Sequence, residues 1–166
     1  MDIFDFAMQM EKDGEKYFRE LADQCQDKGL TNILTMMADT EAVHYEVLKK
    51  MKGKANPELP TSNLLADVKN VFAKMKEEES NFSFDASQPD LYRKAMDIEM
   101  KSREFYEAKA DETDDPDHKA LFQKIANEEK EHYRLFQNIT EFVTQPDTWM
   151  ENSEWHHLVE VGPPSH

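Results

Sequence analysis

Apolar residues recur at spacings of three and four along most of the chain, the signature of amphipathic helices. Over residues 3–25 the stripe is Phe4, Ala7, Met8, Phe18, Leu21, Ala22 and Cys25. The polar stretch QDKG interrupts it, and Gly29 is a candidate C-cap. A second helix is predicted from about Thr31, with Ile33, Leu34, Met37, Ala38, Tyr45 and Leu48 on one face. Residues 53–61, GKANPELPT, break the pattern with a glycine and two prolines. Ser62 or Asn63 is placed to cap a shorter helix carrying Leu64, Leu65, Val68, Val71, Phe72 and Met75, which runs into KEEE. The segment SNFSFDASQPD reads as a loop. A third long helix is predicted from near Asp90, with Leu91, Ala95, Met96, Tyr106 and Ala110 in register. A polar turn, DETDDPDH, follows, with Asp115 or Asp117 as the next cap. The fourth long helix carries Leu121, Phe122, Ile125, Ala126, Tyr133, Phe136, Ile139 and Val143. The expectation is an all-α four-helix bundle over residues 1–145: two helical hairpins joined by a long crossover at 53–90 that contains a short helix. Residues 146–166 form a C-terminal tail.

Each long stripe contains polar exceptions. Glu11 lies in the first, Glu41 and His44 in the second, Glu99 in the third, Glu129 and His132 in the fourth. The second three repeat the first three at a constant offset of 88 positions. The repeat is wider than these residues, since Ala7/Ala95, Met8/Met96, Ala22/Ala110, Asp23/Asp111, Asp27/Asp115, Ala38/Ala126 and Tyr45/Tyr133 also match. In an antiparallel hairpin, residues equidistant from the turn lie level. The midpoint of Glu11 and Glu41 is position 26, and that of Glu99 and Glu129 is 114, both inside predicted turns. An i, i+3 spacing puts each His beside its Glu on one helix face. All six groups therefore belong at mid-height, pointing inward.

Four carboxylates in a core, with no Lys or Arg in the same stripes, demand compensation. An unpaired buried carboxylate costs several kcal/mol, against a typical total stability of about 5–15 kcal/mol. Either the carboxylates are protonated or a polyvalent cation sits among them. Carboxylate oxygens with imidazole nitrogens suit iron or manganese and can bridge two ions. A third Glu-x-x-His, Glu154 to His157, has no partner and reads as coincidence.

Composition narrows the function classes. The formal net charge of −15 makes nucleic acid and anionic membranes poor partners. Cys25 is the single cysteine, so there is no internal disulfide and no CxxC pair for a thiolate zinc or rubredoxin-type iron site. A reducing cytoplasm is the expected compartment. The opening MDIFDFAMQM has no basic region of a secretory signal, and no apolar run approaches the ~20 residues of a membrane span.

The stretches AMQMEKDGEKYF, MADTEAVHYEVL, AMDIEMKSREFY and IANEEKEHYRLF resemble, in order, the four ligand helices of the rubrerythrin group of the ferritin-like superfamily, over about residues 2–143. Ferritin-like di-iron bundles take one Glu from each of two helices and a Glu-x-x-His from each of the other two. The resemblance implies two Fe ions per chain, with Mn or Zn as substitutes in isolated protein. By the same resemblance, Glu11, Glu41, Glu99 and Glu129 are carboxylate ligands, Glu41 and Glu129 the bridges, and His44 and His132 terminal ligands. The implied activity is reduction of hydrogen peroxide or dioxygen by a cytoplasmic homodimer. Two alternatives stay open: a ferroxidase or iron-handling protein, and a helical interaction module with a structural metal site. Rubrerythrins proper carry a rubredoxin domain, whereas this sequence holds no CxxC, so the expected electron donor is a separate, rubredoxin-like protein. They also place an additional Glu one turn after the third-helix ligand, where this chain has Ser102, with Gly14 at the equivalent position of the first half.

Residues near the ligands carry further expectations. Phe18 and Tyr106 pack in the core, Tyr106 being also placed to hydrogen-bond a bound oxygen species and so the one catalytic candidate. Tyr45 and Tyr133 pack beside the histidines. Glu15, whose repeat equivalent is Arg103, enters a salt bridge. Asp39 and Asn127 are the candidates for accepting a histidine N–H. The Met-rich faces are core filler and Cys25 is inert. In the tail, Trp149, Trp155, His156 and His157 are expected to pack on the bundle or on a second subunit.

Overall fold

A computed structural model describes residues 2–60, 62–77 and 89–144. The side chains of Met75 and Val143, the loop after the short helix, and the tail with Trp149, Trp155, His156 and His157 lie outside the described residues. Five helices follow one another: α1 (Ile3–Gln24), α2 (Lys28–Lys52), α3 (Leu64–Glu77), α4 (Pro89–Glu112) and α5 (Pro116–Thr144). Among the described residues there is no strand. The architecture is the expected helical bundle: α1 packs on α2 and α4 on α5, with α3 in the crossover lying against α2.

Aspartates start three of the long helices. The Asp2 carboxylate accepts the Asp5 N–H at 2.8 Å, Asp27 accepts that of Leu30 at 2.9 Å, and Asp115 accepts those of Asp117 and His118 at 2.9 and 3.2 Å. The first turn corrects an expectation. Gly29 is not a C-cap but lies inside α2, which begins at Lys28 rather than Thr31. Cys25 closes α1 in an extended conformation, and Asp27 caps α2 two residues later. A side-chain acceptor at Asp27 opens the next helix immediately, so no left-handed residue is required. Of the two candidates at the second turn, Asp115 is the cap, and Pro116 follows it at the first helical position. Asn63 accepts the Asp67 N–H through its carbonyl, and the Ser62 hydroxyl accepts that of Leu64 at 3.1 Å.

The end of α2 is a Schellman motif. Ala55 N–H donates to the Lys50 carbonyl and Lys54 N–H to that of Met51. The left-handed residue is Lys54, at φ 68°, with Gly53 one position too early at φ −75°.

The core divides along the bundle axis. Towards the α1–α2 turn, Phe18, Leu21, Leu30, Ile33, Leu34 and Met37 pack with Phe136, Ile139 and the α3 residues Val68 and Phe72. Towards the α4–α5 turn, Ala7, Leu48 and Met51 pack with Tyr106, Leu121, Phe122 and Ile125. Between these clusters lies a layer of buried ionisable groups.

Candidate metal centre

All six sequence-predicted residues lie in that layer. Glu99, Glu129 and His44 are fully buried, and Glu11, Glu41 and His132 are at most 3 % exposed. The two hairpins meet with antiparallel neighbours, α1 on α4 and α2 on α5, so each of these residues faces its repeat equivalent. The two imidazole rings stack nearly parallel, 9° apart, with centroids 6.2 Å from each other.

The groups converge as two overlapping sets. One is Glu11, Glu41, His44 and Glu129, and the other is Glu41, Glu99, Glu129 and His132, with ligand atoms of each set within 4.8 Å of one another. Glu41 and Glu129 belong to both. His44 Nδ1 is 3.0 Å from Glu129 Oε1 and 3.5 Å from Glu11 Oε1. His132 Nδ1 is 3.4 Å from both Glu41 Oε1 and Glu99 Oε2. These approaches lack hydrogen-bond alignment. Among the described residues, eight buried atoms have no hydrogen-bond partner: Glu11 Oε2, Glu41 Oε1, both oxygens of Glu99, both of Glu129, and the two Nδ1 atoms. A native core satisfies nearly all its polar atoms, so eight orphans converging on one place mark a site built for something else to bind.

The outer nitrogens of both imidazoles are satisfied. His44 Nε2 bonds Glu128 Oε1 at 2.8 Å, and His132 Nε2 lies 3.3 Å from Thr40 Oγ1. The Thr40 hydroxyl gives its own proton to the Met37 carbonyl at 2.7 Å, so it accepts from His132. Both imidazoles thus donate outward from Nε2 and turn Nδ1 inward, the orientation a metal-ligating histidine needs once Nδ1 gives up its proton. Tyr106 Oη donates to Glu11 Oε1 at 2.7 Å.

Burial without a cation strains the charges. Burial, then the neighbouring Glu41, pushes the Glu11 carboxyl up to about 8. Burial, Glu129 and Glu41 raise Glu99 well above the carboxylate range. Burial opposes charge on the His44 imidazole, but Glu11, Glu128 and Glu129 outweigh it and hold it well above its ordinary value. His132 rises likewise, Glu41 and Glu129 overcoming burial. Burial and Glu11 raise the Tyr106 phenol, so it stays a donor. Four carboxylates and two neutral nitrogens are a hard to borderline donor set, which fits two divalent ions of the iron or manganese kind.

A family model described as rubrerythrin matches residues 2–140. The chain belongs to the rubrerythrin family. No curated protein and no solved structure matches it. Within this rubrerythrin bundle, Ser102 is buried one turn after Glu99. Gly14 is buried too, and a Cβ built on it would lie 3.7 Å from Glu41 Oε2. Among the described residues, no helix is long and apolar enough to cross a membrane.

One expectation about the surroundings is corrected. Asp39 and Asn127 do not serve the histidines; both are exposed, and Asp39 bonds Arg19 at 2.9 Å. The histidine partners are their next neighbours, Thr40 and Glu128, themselves repeat equivalents. The offset of 88 relates Asp39 to Asn127 just as it relates Thr40 to Glu128, so it did not distinguish the two pairs. Tyr106 is core, as expected, and its hydroxyl is occupied by Glu11. Phe18 is fully buried, whereas Tyr45 and Tyr133 are half-buried, Tyr45 beneath the Lys12 ammonium at 4.8 Å. Glu15 pairs with Arg19 at 2.7 Å and Arg103 with Glu107 at 3.3 Å, each within its own helix. Cys25 is a half-buried thiol that receives a hydrogen bond from Tyr92. Outside the centre, a pocket of about 310 Å³ opens between α2, the start of α3 and α5, with Thr40, Glu128, Asp39, Val43 and Asp67 among its walls.

Proposed function

We propose that this rubrerythrin holds two iron ions and reduces hydrogen peroxide, or dioxygen, with electrons from a separate donor protein. Manganese or zinc would occupy the same positions in isolated protein. Glu41 and Glu129, common to both sets, would help to hold both ions, with Glu11 and His44 completing one position and Glu99 and His132 the other. The observation that carries this reading is the convergence of eight unsatisfied buried polar atoms from six residues on one layer. Bound iron supplies Lewis acidity and exchangeable electrons there. Reduction of one peroxide to two waters consumes two electrons and two protons.

The protein's own part is positioning and exclusion. Glu128 and Thr40 fix the tautomer of each histidine, and Tyr106 orients Glu11. The apolar clusters on either side keep water from the layer. Tyr106 is a positioning residue, its proton already held by a ligand carboxylate. The proposed setting is a homodimer in a reducing cytoplasm.

A second reading has one observation in its favour. Ser102 and Gly14 leave the layer without a further carboxylate, and in the family that carboxylate accompanies the redox-dependent movement of iron. Ferrous iron would then be the substrate, and the protein a ferroxidase or iron store. Anaerobic loading with Fe(II), followed by rapid mixing with peroxide or with dioxygen, separates the two. Two irons per chain oxidised faster by peroxide support the first reading. Faster reaction with dioxygen, with accumulation of many irons, replaces it by the second. Protein that folds and binds no metal in either condition removes both. Glu41→Ala is expected to lose both irons together, measured as metal per chain after gel filtration.

A further inference from the structure

The internal repeat allows each residue around the centre to be compared with its equivalent in the other half. The six ligands match, but two pairs behind them do not. At positions 18 and 106 the first half has Phe and the second Tyr; at 40 and 128 the first has Thr and the second Glu. Both richer partners serve the same position. Tyr106 bonds Glu11 and Glu128 bonds His44, the terminal residues of one set. The terminal residues of the other set are Glu99, with no hydrogen-bond partner on either oxygen among the described residues, and His132, with only the Thr40 hydroxyl.

We propose that the two metal positions are unequal: the Glu11–His44 position fills first and holds its ion more tightly than the Glu99–His132 position, because Tyr106 and Glu128 stand behind its terminal ligands. This rests on the di-metal reading above. Glu128 accepts the His44 N–H at 2.8 Å, and its charge makes the opposite nitrogen a stronger electron donor. Thr40 stands 3.3 Å from His132 and is an uncharged acceptor. Tyr106 fixes one oxygen of Glu11 and leaves Oε2 for the centre, whereas both oxygens of Glu99 must be ordered when a metal arrives. Removing a partner of this kind typically costs about 10–100-fold in metal affinity, and here both differences act in the same direction. Glu128 also lines the outer pocket, so it can be replaced without opening the apolar clusters.

The test is titration of the metal-free full-length protein with Co(II), followed by its visible absorption, with a thermal melt of each variant. The expected isotherm has two steps separated by about tenfold or more. His44→Ala should remove the tighter step and His132→Ala the weaker. Glu128→Thr, which copies the other half, should bring the steps within a few-fold. Glu128→Gln, which keeps an acceptor oxygen but no charge, should fall between. Tyr106→Phe should narrow the separation by a smaller amount. Two equal steps in the unaltered protein overturn the proposal, as does loss of the tighter step in His132→Ala. So does a separation that survives in both Glu128→Thr and Tyr106→Phe with melts unchanged. Protein that takes up no Co(II) at all overturns the metal centre itself, and this ordering with it.

Discussion

Glu99 and Phe136 are both fully buried, one in the ionisable layer and the other in the apolar cluster towards the α1–α2 turn. Phe136 packs against Phe18 with ring centroids 5.1 Å apart. Glu99 has neighbours of its own charge and no hydrogen bond. Equal burial therefore means opposite things in adjacent layers. The clusters supply the stability of the bundle, and the layer between them draws on it in the absence of a cation. Substitutions in the two regions should change metal-free stability with opposite signs.

The largest effect is expected in the clusters. Phe136→Ala should destabilise by about 3–5 kcal/mol, read as a fall in the urea midpoint at unchanged slope. Next comes the layer. Glu99→Leu should stabilise the metal-free protein by about 1–4 kcal/mol while weakening metal uptake. Parallel denaturation and metal analysis check both halves of that statement, and a loss of stability like that of Phe136→Ala would erase the contrast.

The third effect is a pH dependence that arises chiefly in the layer. The Glu11 carboxyl is raised from 4.5 to about 8, so between those values the folded protein holds a proton that the unfolded chain releases. Its contribution is complete below the lower value and lost as pH rises through the upper one. His44 and His132 are raised too, and their contribution is lost above the ordinary histidine range. The melting temperature of metal-free protein should therefore fall from pH 5 to pH 8. Metal binding displaces these protons, so the rise in melting temperature on adding metal should be larger at pH 8 than at pH 5.

The smallest effect lies at the end of α2, outside the ionisable layer. Lys54 holds the left-handed position of the Schellman motif, which penalises a side chain by about 1–2 kcal/mol. Lys54→Gly should recover about 0.5–1 kcal/mol, after the extra freedom it gives the unfolded chain. Thermal melts with and without metal should show the same increment.

Much of this was legible in the residues. Periodicity placed the long helices, and the turn midpoints at 26 and 114 put the six buried Glu and His residues level. The partners of the histidines were not legible because they lie across the α2–α5 contact. Thr40 faces His132 and Glu128 faces His44, and only the pairing of the two hairpins puts those residues level. Asp39 lies two residues before Glu41, about 200° around the helix, and so turns out to Arg19. Gly29 misled for a simpler reason: glycine permits a left-handed cap but does not impose one, and Asp27 had already opened the next helix.

The joining of the two hairpins into one chain has a consequence for symmetry. Each hairpin carries one Glu and one Glu-x-x-His, so a pair of identical hairpins would already supply six ligands. Such a pair would be bound to place the same residue behind both histidines and both terminal carboxylates. Covalent fusion releases that constraint, since positions 18 and 106, or 40 and 128, are encoded separately and can drift apart. The crossover through α3 is thus more than a connector. It allows two like halves to set different residues behind the same buried groups.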